Sequence, residues 1–383
     1  MYNIKLMNKI SPEGLQLFNN QYTLGEDIEN EDGILVRSAS LHEYTLNDNL
    51  KAIARAGAGV NNIPLDECSE QGIVVFNTPG ANANAVKELV LCGLVLSSRR
   101  VLEGIDWTKT LKGKMDAAKL VEKGKSQFVG PEIEGKKLGI IGLGAIGVNV
   151  ANAAIKLGMD VYGYDPYISV NAAWGLSKWA KNAPTTDIIF SECDYITLHA
   201  PSTKETKGMI NAESIAKMKD GVRILNFARA DLVDSVAILD GVKSGKVAKY
   251  VTDFCTPNII DQENIIVMPH LGASTPESED NCARMAVNEM KAYLEDGNII
   301  NSVNFPMVNE PRTTKYRICI IHKNVPNMLA QFATLFANEQ INIENMTNRA
   351  KGDYAYTILD TNDKVDVEHF QNLENVIKAR VIG

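Results

Sequence analysis

Gly142, Gly144 and Gly147 stand in G-x-G-x-x-G spacing directly behind an apolar run, 138–141. Small and apolar residues continue at helical spacing over 148–157, and a second apolar run, 159–164, ends in Asp165, 23 positions after the first glycine. Each part has a chemical job. Gly142 permits a tight turn, Gly144 lets a pyrophosphate approach the backbone, and Gly147 lets a helix pack close to the strand. The helix start at Ala145 and Ile146 offers N–H groups and partial positive charge to phosphates. Asp165 is placed to accept hydrogen bonds from an adenosine ribose and to repel a 2′-phosphate, which favours NAD over NADP. A glycine triplet alone is a weak signal and reads as a turn. Strand, glycines, helix, second strand and acid in order form a strong one.

Two further residues could act on a molecule held beside that cofactor. Arg229 follows the apolar run 223–227, and His270 follows 265–268. Histidine titrates in the range needed to exchange a hydroxyl proton. A guanidinium holds a carboxylate in a bidentate fork. By residue type the pair suits hydride transfer from a 2-hydroxy acid to NAD, although either residue alone would by default simply cap a strand. The stretch 54–62 places Gly57 and Gly59 after Arg55 at another strand end. It reads equally as an anion site and as a solvated Arg beside a loop. Asn77-Thr78-Pro79-Gly80 closes the next strand in the same way.

These residues need elements to carry them. Residues 4–7, 34–37, 52–56 and 73–76 read as strands, and 82–98 as a helix with Ala85, Leu89, Cys92 and Leu96 on one face. Residues 99–135, rich in lysine over 111–128, read as an arm or linker at a subunit contact. From 136 onward βα repeats place His199-Ala200-Pro201, Ala228-Arg229, Asp253 and Pro269-His270 at successive strand ends, the carboxyl edge of a doubly wound sheet. A long helix is expected over 276–294, a loop over 298–306 and a linker over 308–314. Strands at 317–321, 341–346, 354–359 and 376–382, with helices at 326–338 and 367–373, give a ferredoxin-like βαββαβ unit. Pro326 is expected in the first turn of its helix. The unit has no motif for chemistry, which points to regulation or assembly.

The 383-residue length suggests two or three domains. A net charge of −8 argues against general nucleic-acid or anionic-membrane partners, and an anionic ligand would need local Arg or Lys. No run approaches a membrane span, and the start Met1-Tyr2-Asn3-Ile4-Lys5 lacks the apolar core of a signal peptide. Six cysteines without a C-x-x-C pair read as small buried residues in a reducing cytoplasm. No metal site is read.

The runs Cys193-Asp194-Tyr195-Ile196-Thr197-Leu198-His199, Asn226-Phe227-Ala228-Arg229 and Pro269-His270-Leu271-Gly272-Ala273-Ser274-Thr275 resemble the motifs of D-isomer-specific 2-hydroxyacid dehydrogenases. The nearest resemblance is to members that act on 3-phosphoglycerate and carry a C-terminal ACT domain. Arg55-Ala56-Gly57-Ala58-Gly59, Phe76-Asn77-Thr78-Pro79 and Tyr164-Asp165-Pro166 add to it. The resemblance implies oxidation of 3-phosphoglycerate to 3-phosphohydroxypyruvate, the first step of serine synthesis. His270 would be the acid/base and Arg229 the carboxylate clamp. Arg55, with Gly57 and Asn77, would meet the substrate anion. Thr78, Ala145, Ile146, Asp165, Ala200, Phe227, Ala228, Asp253, Leu271, Gly272 and Ala273 would join the three glycines around NAD. The implied fold is α/β, with a substrate lobe (1–98 plus 279–306) and a Rossmann NAD lobe (99–278). A linker (307–314) would lead to the ACT domain (315–383). His322, Asn324 and Asn342 match serine-binding positions, in a homodimer or homotetramer with paired ACT domains; a purely structural dimerisation domain fits as well.

Three departures stand out. The family's Glu, five positions after the Asp corresponding to Asp253, is Asn258 here. Either Asp261 or Glu263 takes its place, or His270 works without a carboxylate. Ala230-Asp231 replaces two glycines, and Pro326-Asn327 replaces Pro-Gly. Two alternatives stay open: a glyoxylate- or hydroxypyruvate-type dehydrogenase, and an NAD-sensing binding protein on the same fold.

Overall fold

The computed structural model describes Met1–Gly383. It divides into two compact units, Met1–Asn82 with Pro276–Gly383, and Ala83–Thr275.

The first unit holds a parallel sheet of Tyr2–Leu6 (β1), Tyr22–Gly25 (β2), Gly33–Val36 (β3), Ala52–Arg55 (β4) and Val74–Phe76 (β5), in the order β2-β1-β3-β4-β5. Central β3 is buried along its whole length, as a parallel strand covered on both faces should be. β2 is an edge strand that no apolar run announces. The helix Pro276–Asp296 lays Ala283, Ala286, Val287, Met290 and Leu294 into one core with Ile4, Leu35, Ala54 and Phe76.

The second unit is built on a seven-stranded parallel sheet. Its strands are Lys137–Ile141 (β6), Asp160–Tyr164 (β7), Lys181–Asn182 (β8), Tyr195–Leu198 (β9), Val222–Asn226 (β10), Val247–Thr252 (β11) and Ile265–Val267 (β12). Their order is β12-β11-β10-β9-β6-β7-β8. The order reverses between β6 and β9, the switch point where doubly wound sheets open a crevice.

The helix Ala83–Ser98 falls in the second unit rather than the first, and it buries Ala83, Val86, Val90, Gly93, Leu94 and Ser97. This is not the expected face of Ala85, Leu89, Cys92 and Leu96. Apolar residues surround this helix, so hydrophobicity does not single out a stripe. Close packing does: a Cβ on Gly93 would lie 2.9 Å from Leu225. Cys92 and Cys255 are exposed, unlike the other four cysteines. The expected arm is helical, over Val101–Lys109 and Ala117–Gly124, and neither helix buries a residue.

The C-terminal strands are Tyr316–Lys323 (β13), Asn345–Lys351 (β14), Tyr354–Thr361 (β15) and Val376–Ile382 (β16). They form an antiparallel sheet in the order β14-β15-β13-β16, with helices Met328–Asn338 and Glu368–Gln371 completing a βαββαβ sequence. Two local expectations fail. The strand expected at 341–346 begins at Asn345, because Ile341 and Ile343 are spent covering the helix-side core. Pro326 precedes the helix, which starts after Asn327 in the left-handed region (φ 74°). That conformation accounts for the glycine usual at this position and shows that Asn adopts the same turn.

The stretch expected as a linker is structured. Ile299 pairs with buried Val308, and the carbonyls of Glu310 and Pro311 accept from Arg317. Arg317 is fully buried and donates to both oxygens of Asp360, at 2.7 and 2.8 Å. One face of the sheet (Cys319, Ile321, Tyr356, Ile358) shares the first unit's core with Tyr293, Ile299 and Phe305. Lys378 Nζ donates to the Leu50 carbonyl at 2.6 Å, and burial lowers its pKa to about 8. The C-terminal sheet is therefore seated on the first lobe, not tethered beside it. No helix is long and apolar enough to cross a membrane.

Candidate active site

The three glycines are required for three different reasons. Gly142 has φ 95°, and a Cβ there would lie 2.6 Å from the His199 carbonyl. A Cβ on Gly147 would lie 2.0 Å from the Gly142 carbonyl oxygen, so strand and helix could not approach. A Cβ on Gly144 would meet nothing within 4 Å. Its space is open, as a cradle for phosphate must be. The helix Ala145–Lys156 begins there with no side-chain cap, which leaves its first N–H groups for an anion.

Asp165 follows β7, and its two oxygens accept from Leu143 N–H and Tyr167 N–H, both at 2.8 Å. Each carboxylate oxygen keeps a further lone pair for a ribose hydroxyl. The acid thus also pins the glycine loop, a second role that spacing alone does not reveal.

β9 leads into His199 and half-buried Ala200. The His199 Nε2 lies 3.0 Å from Thr197 Oγ1, and its buried Nδ1 has no partner. Burial lowers the pKa of this imidazole to about 3 and holds it neutral. β10 ends in buried Asn226, a motif residue to which the sequence reading gave no role. Its side chain accepts from Ala228 N–H (3.1 Å) and donates to the Arg229 carbonyl (2.8 Å), fixing the turn that presents Arg229. A polar residue closing an apolar strand was the available signal. Phe227 is buried beneath this turn, and Arg229 is exposed with extended backbone (φ −150°). Asp231 accepts from Ser202 Oγ at 2.5 Å.

Asp253, after β11, is 3% exposed, and neither carboxylate oxygen has a hydrogen-bond partner. Burial raises its pKa above the ordinary carboxylate range, while the charge of His270 and the N–H dipoles of Asp253 and Gly272 oppose that rise. A Cβ on buried Gly272 would lie 3.6 Å from Asp253 Oδ2. The His270 ring meets Phe254 edge-on at 5.1 Å, and His270 and Leu271 are exposed. Asn258, Asp261 and Glu263 are all exposed, and none pairs with His270. Asp261 and Glu263 instead line a cavity of about 760 Å³ with Glu103 and Lys249 on the flank of β12.

In the first unit Arg55 ends β4, and its Nε donates to the Arg37 carbonyl at 2.9 Å. The guanidinium runs over Gly57 and Gly59, and a Cβ on Gly59 would lie 2.6 Å from Nη1. Asn77 Nδ2 donates to the Ala58 carbonyl at 2.6 Å, and the N–H of buried Thr78 donates to Gly57 at 3.1 Å. Arg37, at the end of neighbouring β3, is a cation that sequence reasoning missed. Like Arg55 it closes an apolar strand, and that parallel was the signal.

The three positions expected to bind serine differ in access. His322 is buried, with Nδ1 2.8 Å from the Lys323 carbonyl and Nε2 2.9 Å from Thr357 Oγ1. Asn324 and Asn342 are exposed; they donate to the Gly352 carbonyl and to Glu344, each at 3.1 Å.

Residues 93–272 match the NAD binding domain of the D-isomer specific 2-hydroxyacid dehydrogenases. The chain is 31% identical over 336 residues to the D-3-phosphoglycerate dehydrogenase of Bacillus subtilis, covering 83% of this chain and 62% of that one. Against the Haemophilus influenzae protein of that name it is 32% identical over 347 residues, covering 85% and 79%. Against the Homo sapiens protein it is 36% identical over 307 residues, covering 76% and 55%. The chain thus spans somewhat over half the length of several curated relatives. An NAD+-bound 3-phosphoglycerate dehydrogenase from Entamoeba histolytica superposes with TM-score 0.60 at 25% identity, over 80% of this chain and 99% of that chain. A glyoxylate reductase from Paecilomyes thermophila superposes with TM-score 0.65 at 24% identity, over 79% and 98%, which speaks to the fold.

Proposed function

The chain belongs to the D-isomer-specific 2-hydroxyacid dehydrogenases, and on that premise we propose that it oxidises 3-phospho-D-glycerate to 3-phosphohydroxypyruvate with NAD, the first step of L-serine synthesis. The observation that carries this is the succession of Arg229, Asp253 and His270 after three adjacent strands of one sheet, with the glycine turn two strands further along the same edge. Residues 144–146 suit the pyrophosphate and Asp165 the ribose. The unpartnered oxygens of Asp253 suit an amide donor of the cofactor. NAD, when bound, supplies the hydride acceptor. His270 takes the proton of the C2 hydroxyl as the carbon is oxidised. Arg229 holds the carboxylate in a fixed fork, which orients that carbon. In the first unit, Arg55 and Arg37, with Gly57 and Asn77, offer two cations on neighbouring strand ends, suited to a phosphate.

NADH consumption with 3-phosphohydroxypyruvate, run beside glyoxylate, pyruvate and 2-oxoglutarate, tests the reading. Strong preference for the phosphorylated acid supports it. Preference for another keto acid changes the substrate within the family. One observation favours a second reading: neither Asp261 nor Glu263 pairs with His270, and Asn258 stands where the family has its Glu. NADH binding without turnover of any acid would turn the assignment to an NAD-sensing binding protein.

We also propose that residues 315–383 form an ACT domain that binds L-serine through Asn324 and Asn342, with His322 shaping the site from inside. These domains would pair in a homodimer or homotetramer. The βαββαβ order supports this. A serine titration that leaves turnover unchanged to high concentration rejects it.

A further inference from the structure

The cation pair of the first unit already holds an anion, and that anion belongs to the protein. Arg37 Nη2 lies 2.7 Å from Glu279 Oε1, and the two side chains are 43% and 42% exposed. Glu279 sits in the first turn of the helix Pro276–Asp296, where the helix dipole favours a negative charge. Arg37 is fixed relative to Arg55 by the register of β3 on β4, which sets Val36 against Arg55, and by the Arg55 Nε bond to the Arg37 carbonyl. One carboxylate therefore occupies the Arg37 guanidinium, with water access to both partners.

We propose that Glu279 is an internal placeholder for the substrate's phosphate, displaced from Arg37 when a phosphorylated hydroxy acid binds. A phosphate monoester carries a charge of about −1.5 to −2 and three acceptor oxygens, so it can engage Arg37 and Arg55 together. The carboxylate carries a single charge and pairs with Arg37 through one oxygen. A half-exposed ion pair is weak, about 0.2–1 kcal/mol, so it holds Arg37 in place yet yields to the stronger anion. Glu279 then has two consequences. It lowers affinity for the phosphorylated acid by the strength of the displaced pair, and it leaves unphosphorylated acids, which have no group for Arg37, unaffected.

This inference rests on the phosphoglycerate reading, and its test separates the two. In Glu279→Gln, KM for 3-phosphohydroxypyruvate is expected to fall about two- to five-fold, the affinity equivalent of such a pair. The fall should shrink as salt rises, while KM for glyoxylate holds. Glu13→Gln, which removes the Arg284 partner further along the same helix, serves as the control. Calorimetric titration with inorganic phosphate gives a readout independent of turnover, and Glu279→Gln should bind it tighter than wild type. An unchanged or higher KM together with unchanged phosphate binding overturns the placeholder while leaving the dehydrogenase assignment standing. Tighter phosphate binding in a protein that reduces no keto acid does the reverse.

Discussion

Asp253 and Asp360 are both buried aspartates, one at the carboxyl edge of the second unit's sheet and one in the C-terminal sheet. Asp360 has both oxygens on the Arg317 guanidinium. Asp253 has neither oxygen matched. A buried polar group without a partner costs about 1–3 kcal/mol, more when charged, so a fold keeps one only where something else completes it. The difference teaches how to read the two regions. In the C-terminal sheet the Asp360 carboxylate is completed by Arg317. At the edge that carries Arg229 and His270, Asp253 has no such partner, which suits the ligand proposed above.

The comparison can be broken most sharply by deleting function on one side and structure on the other. Arg229→Ala and His270→Ala should each lower kcat/KM about 10²- to 10⁴-fold with an unchanged melting curve. Asp360→Asn should do the opposite. It leaves the Arg317 charge buried and uncompensated, at a cost of about 3–5 kcal/mol in urea unfolding, with the folded fraction still active. If Asp360→Asn unfolded no more readily than wild type, the satisfied pair would not be what holds that sheet.

Next in size is a contrast between two glycines. Gly147→Ala forces a Cβ to within 2.0 Å of the Gly142 carbonyl, and such overpacking should destabilise by about 1–3 kcal/mol or more. Gly144→Ala enters open space and should melt like wild type, yet bind NADH at least about tenfold more weakly in a fluorescence titration.

Asp253→Asn probes the unmatched acid itself. Its folded pKa is raised by burial. From the ordinary carboxylate range upward, the folded state therefore keeps a proton that the unfolded chain releases, and stability falls as pH rises. The Asn variant lacks that slope. Its melting temperature should decline less than wild type between pH 4 and pH 7, while NADH binding weakens by about tenfold. The smallest effect is expected at Asn327→Gly. Asn327 makes no capping bond and sits at φ 74°, so glycine should stabilise by only a few tenths of a kcal/mol.

What could be read in advance follows the same division. The glycine turn was legible because backbone geometry alone dictates Gly142 and Gly147, and Arg229 and His270 because they close apolar runs. Arg37 closes an apolar run as well, but its place beside Arg55 follows from the register of β3 on β4, a relation not visible along the chain. The unmatched state of Asp253 is a property of its surroundings, not of its type. The helix face around Gly93 was misjudged because close approach, not hydrophobicity, selects it. The stretch 307–314 has the composition of a linker, yet its carbonyls are the acceptors that buried Arg317 needs.

The seating of the C-terminal sheet on the first lobe also sets an order of events during synthesis. The Ala83–Thr275 unit is continuous and can fold as soon as it emerges. The first strands must wait through its translation, roughly ten to forty seconds at about 5–20 residues per second, before their covering helix arrives. They wait longer still for Tyr356, Lys378 and Arg380. During that interval β3 and β4 present apolar faces with no partner, so the newborn amino terminus is the segment that a chaperone would be expected to hold.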